Sequence, residues 1–356
     1  MAPRFGLRVV ALFVPVLLLA QAVSQSDRQR FEEIRARHDR GEPISAEDRQ
    51  FAQGIMARIN QANAAQKNAE YANAHPPRES TGLVPLPDLS GGTYQGEEGG
   101  LYPGGKNTPP PGHLAEGLRL AKSVAPIDSR IVFLTIGMSN TTQESQAFLK
   151  LAAADREINP KVTLVDGAQG GQTARITADP NANFWKVVED RLAAAHVTAK
   201  QVQVAWIKQA NAQPNTGWPA ATKQLQADLV STLHNLHDRY PNLKIAYLSS
   251  RIYAGYAAVP LNPEPYAYEG AFAVKWTIAA QIAGDPALKP DRAPWIAWGP
   301  YLWADGTKGR KQDALVWTRA DVGPDGTHPT DSGRTKVGRM LLDFLKTDPT
   351  ATPWFR

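Results

Sequence analysis

Not one of the 356 residues is a cysteine. That excludes disulfides, a thiolate nucleophile, a thiolate metal site and lipid attachment through Cys. Stability has to come from an ordinary apolar core, which a chain of this length with 42% hydrophobic residues can build. The seven histidines are scattered without ligand spacing, so no metal or other cofactor is expected. Basic blocks are missing as well. The formal charge is +5, with Lys and Arg interspersed among acids, whereas a nucleic-acid partner calls for a basic stripe. The apolar run "VVALFVPVLLLA" from Val9 to Ala20 is broken by Pro15 and falls short of the about 20 residues of a membrane span.

That run has a different use. Arg4 and Arg8 precede it and Ala20-Gln21-Ala22 closes it with an A-x-A cleavage signature. Residues 1–22 read as a secretory signal peptide, which makes the mature chain secreted or periplasmic. Losing the two arginines takes the charge from +5 to +3.

Residues 23–74 are polar and helix-prone, interrupted at Gly41-Glu42-Pro43. Ser45-Ala46-Glu47-Asp48 resembles a capping box for the second piece, and Phe51, Ile55, Met56 and Ile59 recur as an apolar stripe. This arm either packs on the main domain or serves as a dimerisation or envelope-binding helix pair. Residues 75–112 turn to Pro and Gly, without periodicity, and read as a linker or as a surface-hugging strap in which Tyr94 and Tyr102 are the anchors. Residues 113–349 are the main domain and 350–356 a C-terminal tail.

Within the main domain short apolar strands alternate with amphipathic helices. The strands are expected at 131–136, 161–166, 202–207, 244–249 and 294–298. Helices are expected near 142–156, 183–195, 220–239, 270–283 and 331–346; the third carries Leu225, Leu229, Leu233 and Leu236 on one face. Such alternation implies an α/β fold, about five parallel strands with helices on both faces. Ligands of these sheets bind beyond the carboxyl ends of the strands.

Those ends carry chemistry. After the first strand comes "GMSN", with Thr141-Thr142-Gln143-Glu144 fitting a capping box for the next helix. After the second comes "DGAQGGQTA", after the third "KQANAQP", and before the last helix "DGTHP". A serine hydroxyl needs a base to become a nucleophile, and the histidine base needs a carboxylate to fix its tautomer. Asp325 and His328, three apart on a tight Gly/Pro turn, can supply that pair. The oxyanion needs N–H donors, for which the Ser139 backbone, a bare glycine and the Asn211 amide qualify. Each piece has a plain structural reading too: Ser139 as a helix-entry residue, Gly170-Gly171 as a turn, Asn211 as a loop residue. Their joint appearance at the sheet edge favours chemistry.

In these residues the chain resembles the SGNH (GDSL-like) hydrolase superfamily, over roughly residues 131–345. "DGTHPTDSGRTKVG" is similar to its Asp-x-x-His-Pro block, and "GMSN" to the Gly-x-Ser-Asn of its carbohydrate-esterase and sialate O-acetylesterase branch. "GAQGGQTA" resembles the glycine block, with Gly171 the better match and Gly170 the close alternative. "KQANA" keeps the Asn of a Gly-x-Asn-Asp block but has Gln209 for its Gly and Ala212 for its Asp. The resemblance implies a three-layer flavodoxin-like fold, Ser139 as nucleophile, His328 as base, Asp325 as orienting acid, and Ser139, Gly171 and Asn211 as oxyanion donors.

For the substrate, Trp298 and Trp303 of "APWIAWGPYLWADG" are candidates to stack on a sugar ring, unless they are core. Arg251 either binds an anionic group of the substrate or pairs with an internal acid. The small polar strand-end segments suit a short acyl group, acetyl foremost, on a carbohydrate. A secreted serine esterase is thus expected, acting on a small-molecule or saccharide ester. The alternatives are a non-catalytic envelope or glycan-binding member of the fold, or a lipase-like or lysophospholipase-like esterase.

Overall fold

The computed structural model describes residues 23–356, and the expected signal peptide, residues 1–22, lies outside the described residues. The chain forms two compact units that meet in sequence between Ala74 and His75. In the first, helix α1 (Gln25–Asp39) and helix α2 (Ala46–Ala74) are joined by a turn in which Gly41 takes a left-handed φ of 75°. Ser24 caps α1 by accepting the Asp27 N–H at 3.1 Å, and Ser45 does the same for Asp48 at 3.0 Å. Ile55 and Ile59 pack with Phe31 and Phe51, while Met56 stays exposed. Arg30 and Arg37 on α1 both reach Asp48 on α2.

The second unit, His75–Arg356, is an α/β fold. Its long helices are α3 (Pro111–Ser123), α4 (Ser139–Ala153), α5 (Asn183–Ala194), α6 (Ala220–Arg239), α7 (Tyr266–Ile282) and α8 (Asp331–Thr347), with a closing turn α9 (Thr352–Phe355). The main-sheet strands are β1 (Ile131–Gly137), β2 (Val162–Asp166), β3 (Val202–Lys208), β4 (Ile245–Ser249) and β5 (Trp295–Trp298). All pairings are parallel and the order is β2-β1-β3-β4-β5, the flavodoxin-like winding of a three-layer fold. Every residue of β1, β3, β4 and β5 is buried, which is why they read as largely apolar runs. Helix α4 packs on α8 closely enough that a Cβ on Gly338 would meet the Phe148 nitrogen at 2.8 Å. On α6 the four leucines at 225, 229, 233 and 236 are buried, as the stripe predicts.

The segment from His75 to Pro110 is built into the fold. The Asp305 carboxylate accepts from the Ser80 hydroxyl, the Thr81 hydroxyl and the N–H groups of Thr81 and Gly82 at 2.5–3.0 Å. Further along, Tyr253 donates to the Arg78 carbonyl, Tyr268 to that of Val84, and Lys275 to those of Glu98 and Gly99. Leu86 and Tyr102 are part of the core. The C-terminal residues are core too: Trp354 and Phe355 are buried, and the Trp354 ring stacks on Phe133 at 6.0 Å.

Candidate active site

The register aligns Gly137, Lys208 and Ser249 in one row at the carboxyl edge of β1, β3 and β4. Two residues beyond Gly137 the chain enters α4 with Ser139 as its first helical residue. The expected capping box does not form, because the helix starts before it. The Thr141 hydroxyl instead donates to the Lys208 carbonyl at 2.7 Å, and Glu144 turns inward. Gly137 makes this closeness possible: a Cβ there would meet Thr141 Oγ1 at 2.3 Å and the Lys208 carbonyl oxygen at 2.4 Å. The first helical hydrogen bond runs from the Thr142 N–H to the Met138 carbonyl, so the Ser139 N–H precedes the intrahelical ladder.

The loop before α8 brings the other groups. His328 donates from Nδ1 to Asp325 Oδ2 at 2.5 Å, and Asp325 Oδ1 accepts the N–H groups of Thr327 and His328, both at 3.0 Å. With Nδ1 protonated toward the carboxylate, Nε2 is the acceptor for the Ser139 hydroxyl, 2.8 Å away. Burial alone would raise the Asp325 pKa, but the His328 ring and the two backbone donors outweigh it and hold the carboxyl down at about 2. Gly326, at φ 65°, lets the turn press on its neighbour; a Cβ would lie 1.7 Å from the Tyr256 carbonyl oxygen. Two contacts lock the loop in place: Ala258 N–H to the Asp325 carbonyl at 2.9 Å, and Asn140 Nδ2 to the Thr327 carbonyl at 2.9 Å. The second ties the loop to the residue next to Ser139. The His328 and Asp325 side chains are 32% and 31% exposed, open to a solvent-borne reactant.

Gly171 lies in a turn closed by the Gln172 N–H on the Gln169 carbonyl, and its φ of 75° demands glycine. Gly170 carries no such demand. Gln209 donates to the Gln172 carbonyl at 3.1 Å and so joins the β3 end to the glycine turn. Asn211 is held on both sides: Nδ2 donates to Asp228 Oδ2 at 2.6 Å and Oδ1 accepts the Arg175 N–H at 3.1 Å. One of its two amide protons is therefore committed, and only the second remains for an oxyanion. Asp228 escaped the sequence reading, although an acid between Leu225 and Leu229 on a buried stripe was the available signal.

The expected stacking of Trp298 and Trp303 on a sugar is corrected. Trp298 and Trp303 are 4% and 0% exposed, so neither presents a face to a sugar. Their indoles donate into the interior, Trp298 to the Leu101 carbonyl at 2.7 Å, in the segment before α3, and Trp303 to Glu264 at 2.8 Å. Arg251 is also enclosed, at 3%. No local pattern pointed to the buried ion pair between Lys208 and Glu144, whose partners are separated by 64 residues. Burial pushes the Glu144 carboxyl up and the Lys208 ammonium down, to about 8, against the pull of their pairing.

A hydroxyl bonded to an imidazole whose far nitrogen is bonded to a carboxylate is an arrangement able to generate a serine nucleophile. No known protein family matches the chain, and no curated protein matches it. Among solved structures it is similar to the Bacillus subtilis protein YxiM (10% identity, TM-score 0.32, covering 61% of this chain and 56% of that one). It is similar to a gut microbial diltiazem-metabolizing enzyme (14%, TM-score 0.35, 63% and 48%). It is similar, too, to the salicylyl-acyltransferase SsfX3 from a tetracycline biosynthetic pathway (15%, TM-score 0.33, 62% and 56%). The chain spans about half the length of these three structures. Likenesses this slight carry no weight for function.

Proposed function

We propose that the protein is a serine esterase of the SGNH type that removes short acyl groups, acetyl foremost, from ester substrates. The observation that carries this reading is the continuous hydrogen-bonded line from Ser139 Oγ through His328 to Asp325, at 2.8 and 2.5 Å. His328 Nε2 takes the Ser139 proton as Oγ attacks the ester carbonyl. The bond to the alcohol oxygen then breaks as the imidazolium returns that proton to it. Water, deprotonated by His328 in turn, attacks the acyl-enzyme, and the acid leaves as Ser139 recovers its proton. Asp325 holds the Nδ1–H tautomer and stabilises the imidazolium. The Ser139 and Gly171 N–H groups and the second amide proton of Asn211 act as the oxyanion donors.

Small polar strand-end segments favour a short acyl group. A saccharide as the alcohol rests on the family resemblance, since Trp298 and Trp303 lie in the core. Residues 1–22 would direct export. A fluorophosphonate probe should label the wild type and not Ser139→Ala; a non-catalytic glycan binder would leave both unlabelled. Among nitrophenyl esters from acetate to palmitate, rates should fall steeply beyond four carbons, and a preference for octanoate or longer would move the protein to the lipase-like side.

A further inference from the structure

Arg251 is 3% exposed, yet its Nε and Nη2 are buried without a hydrogen-bond partner among the described residues. A guanidinium left in that state is strongly disfavoured, and such a group calls for an explanation. The internal acids that act on it electrostatically are Glu144, Glu264 and Asp325, and all three are occupied. Both Glu144 oxygens accept from Lys208. Glu264 accepts from the Ala254 and Tyr268 N–H groups and the Trp303 indole. Asp325 accepts from His328 and Thr327 as described.

The same edge of a guanidinium is used elsewhere in this molecule. Arg119 holds the Glu116 carboxylate through Nε and Nη2, at 2.8 and 2.6 Å, and Arg310 grips Asp313 through the same two atoms. That edge presents two parallel N–H groups matched to two carboxylate oxygens. The Ser250 hydroxyl beside it is likewise buried and unpartnered.

Its place relative to Ser139 follows from the sheet. Gly137 and Ser249 flank Lys208 in one row, two strand spacings or about 10 Å apart, with Ser139 two residues past the first and Arg251 two past the second. The chain after Arg251 then meets the triad loop, through Ala258 on the Asp325 carbonyl and Tyr256 against Gly326. Arg251 is therefore on the flank of the loop that carries His328. Gly171 follows β2, on the opposite side of β1. The leaving alcohol is the part of an ester that His328 protonates.

We propose that Arg251 receives a carboxylate carried on the alcohol part of the ester, so that the preferred substrates are acyl esters of carboxylated alcohols. This rests on the esterase reading, and the test separates the two. The probes are 3-acetoxybenzoate and 3-acetoxybenzamide, nearly equal in size and different in charge. Wild type should favour the carboxylate by about tenfold or more in kcat/KM, as a charge-assisted bidentate contact provides, and Arg251→Met should bring the ratio to within about threefold of one. Arg251→Lys, which keeps the charge without the fork, should fall between them. A wild-type ratio near one, or an unchanged ratio in Arg251→Met, overturns the proposal. Calorimetry on Ser139→Ala needs neither turnover nor a change at Arg251. There 3-hydroxybenzoate should bind about tenfold or more tighter than 3-hydroxybenzamide, and equal binding overturns the proposal as well. Hydrolysis of the uncharged ester, lost in Ser139→Ala, tests the esterase reading by itself.

Discussion

Lys208 and Glu144 face each other with no solvent between: Nζ lies 2.7 and 2.6 Å from the two carboxylate oxygens, and the side chains are 2% and 0% exposed. Glu144 is five residues beyond Ser139 on α4, and the Lys208 carbonyl takes the Thr141 hydroxyl. The pair therefore fastens the first turns of α4 to the end of β3. Removing one partner leaves an uncompensated buried charge, worth about 3–5 kcal/mol, whereas removing both leaves an apolar gap. Lys208→Met should accordingly lose more stability in chemical denaturation than Lys208→Met combined with Glu144→Leu. If the double variant is the less stable of the two, the charges are not the reason for the coupling.

Asp325 links activity to stability. Its carboxyl is depressed from the usual 3.8 to about 2 in the folded chain, so it binds protons less readily folded than unfolded. The resulting stabilisation is fully present above about pH 4 and disappears as the pH falls through about 2. Its side chain is 31% exposed, which limits the effect to the order of 1–2 kcal/mol. Asp325→Asn removes this dependence. Between pH 5 and 2 the melting temperature of the wild type should fall more steeply than that of the variant, and parallel curves would refute the linkage. The same substitution should lower kcat about 10⁴-fold by releasing the imidazole tautomer.

Trp303 and Trp298 now predict a stability effect in place of a binding effect. Trp303 is fully enclosed, edge-on to Tyr268 at 4.8 Å and bonded to Glu264. Trp303→Ala should destabilise by about 3–5 kcal/mol, the usual loss for a large buried aromatic, and Trp298→Ala should destabilise in the same sense. A soluble, fully stable Trp303→Ala variant with only a raised KM for sugar esters would restore the stacking reading.

The sheet was legible in the sequence because strands buried on both faces leave continuous apolar runs, and each expected strand lies within a residue of an observed one. Helix α6 was legible for the same reason, its leucines returning every turn. Less legible was the start of α4. Thr141 and Glu144 fit a local capping pattern, and the competing partner of both, Lys208, comes from another strand. The burial of Trp303 was hidden because Glu264 and Tyr268 come from a separate segment, and that of Trp298 because its partner Leu101 lies in the Pro- and Gly-rich segment some 200 positions earlier in the chain. Composition marked that segment as irregular and said nothing of what it covers. Arg251 was visible as a charge near the site, but its enclosure was not.

The proposed oxyanion donors can be ranked by conformation. Gly171 has φ 75° with nothing within 4 Å of a built Cβ, so alanine there meets no neighbour and yet strains the backbone. The left-handed region costs an alanine about 1 kcal/mol or more, which the turn can relieve by rotating the very N–H offered to the oxyanion. Gly170 has equal room and no such φ. Gly171→Ala should therefore lower kcat by about 10²–10³-fold if its N–H is a full oxyanion donor, and Gly170→Ala far less. Asn211→Ala should give a loss of the same order with KM little changed. Asp228→Ala leaves the Asn211 amide in place and removes the carboxylate that holds it at 2.6 Å, so it should lower kcat less than Asn211→Ala does. Single-turnover rates on nitrophenyl acetate compare all four. A larger loss in Gly170→Ala than in Gly171→Ala would assign the hole to Gly170, and a rise in KM alone for Asn211→Ala would make that residue a substrate contact.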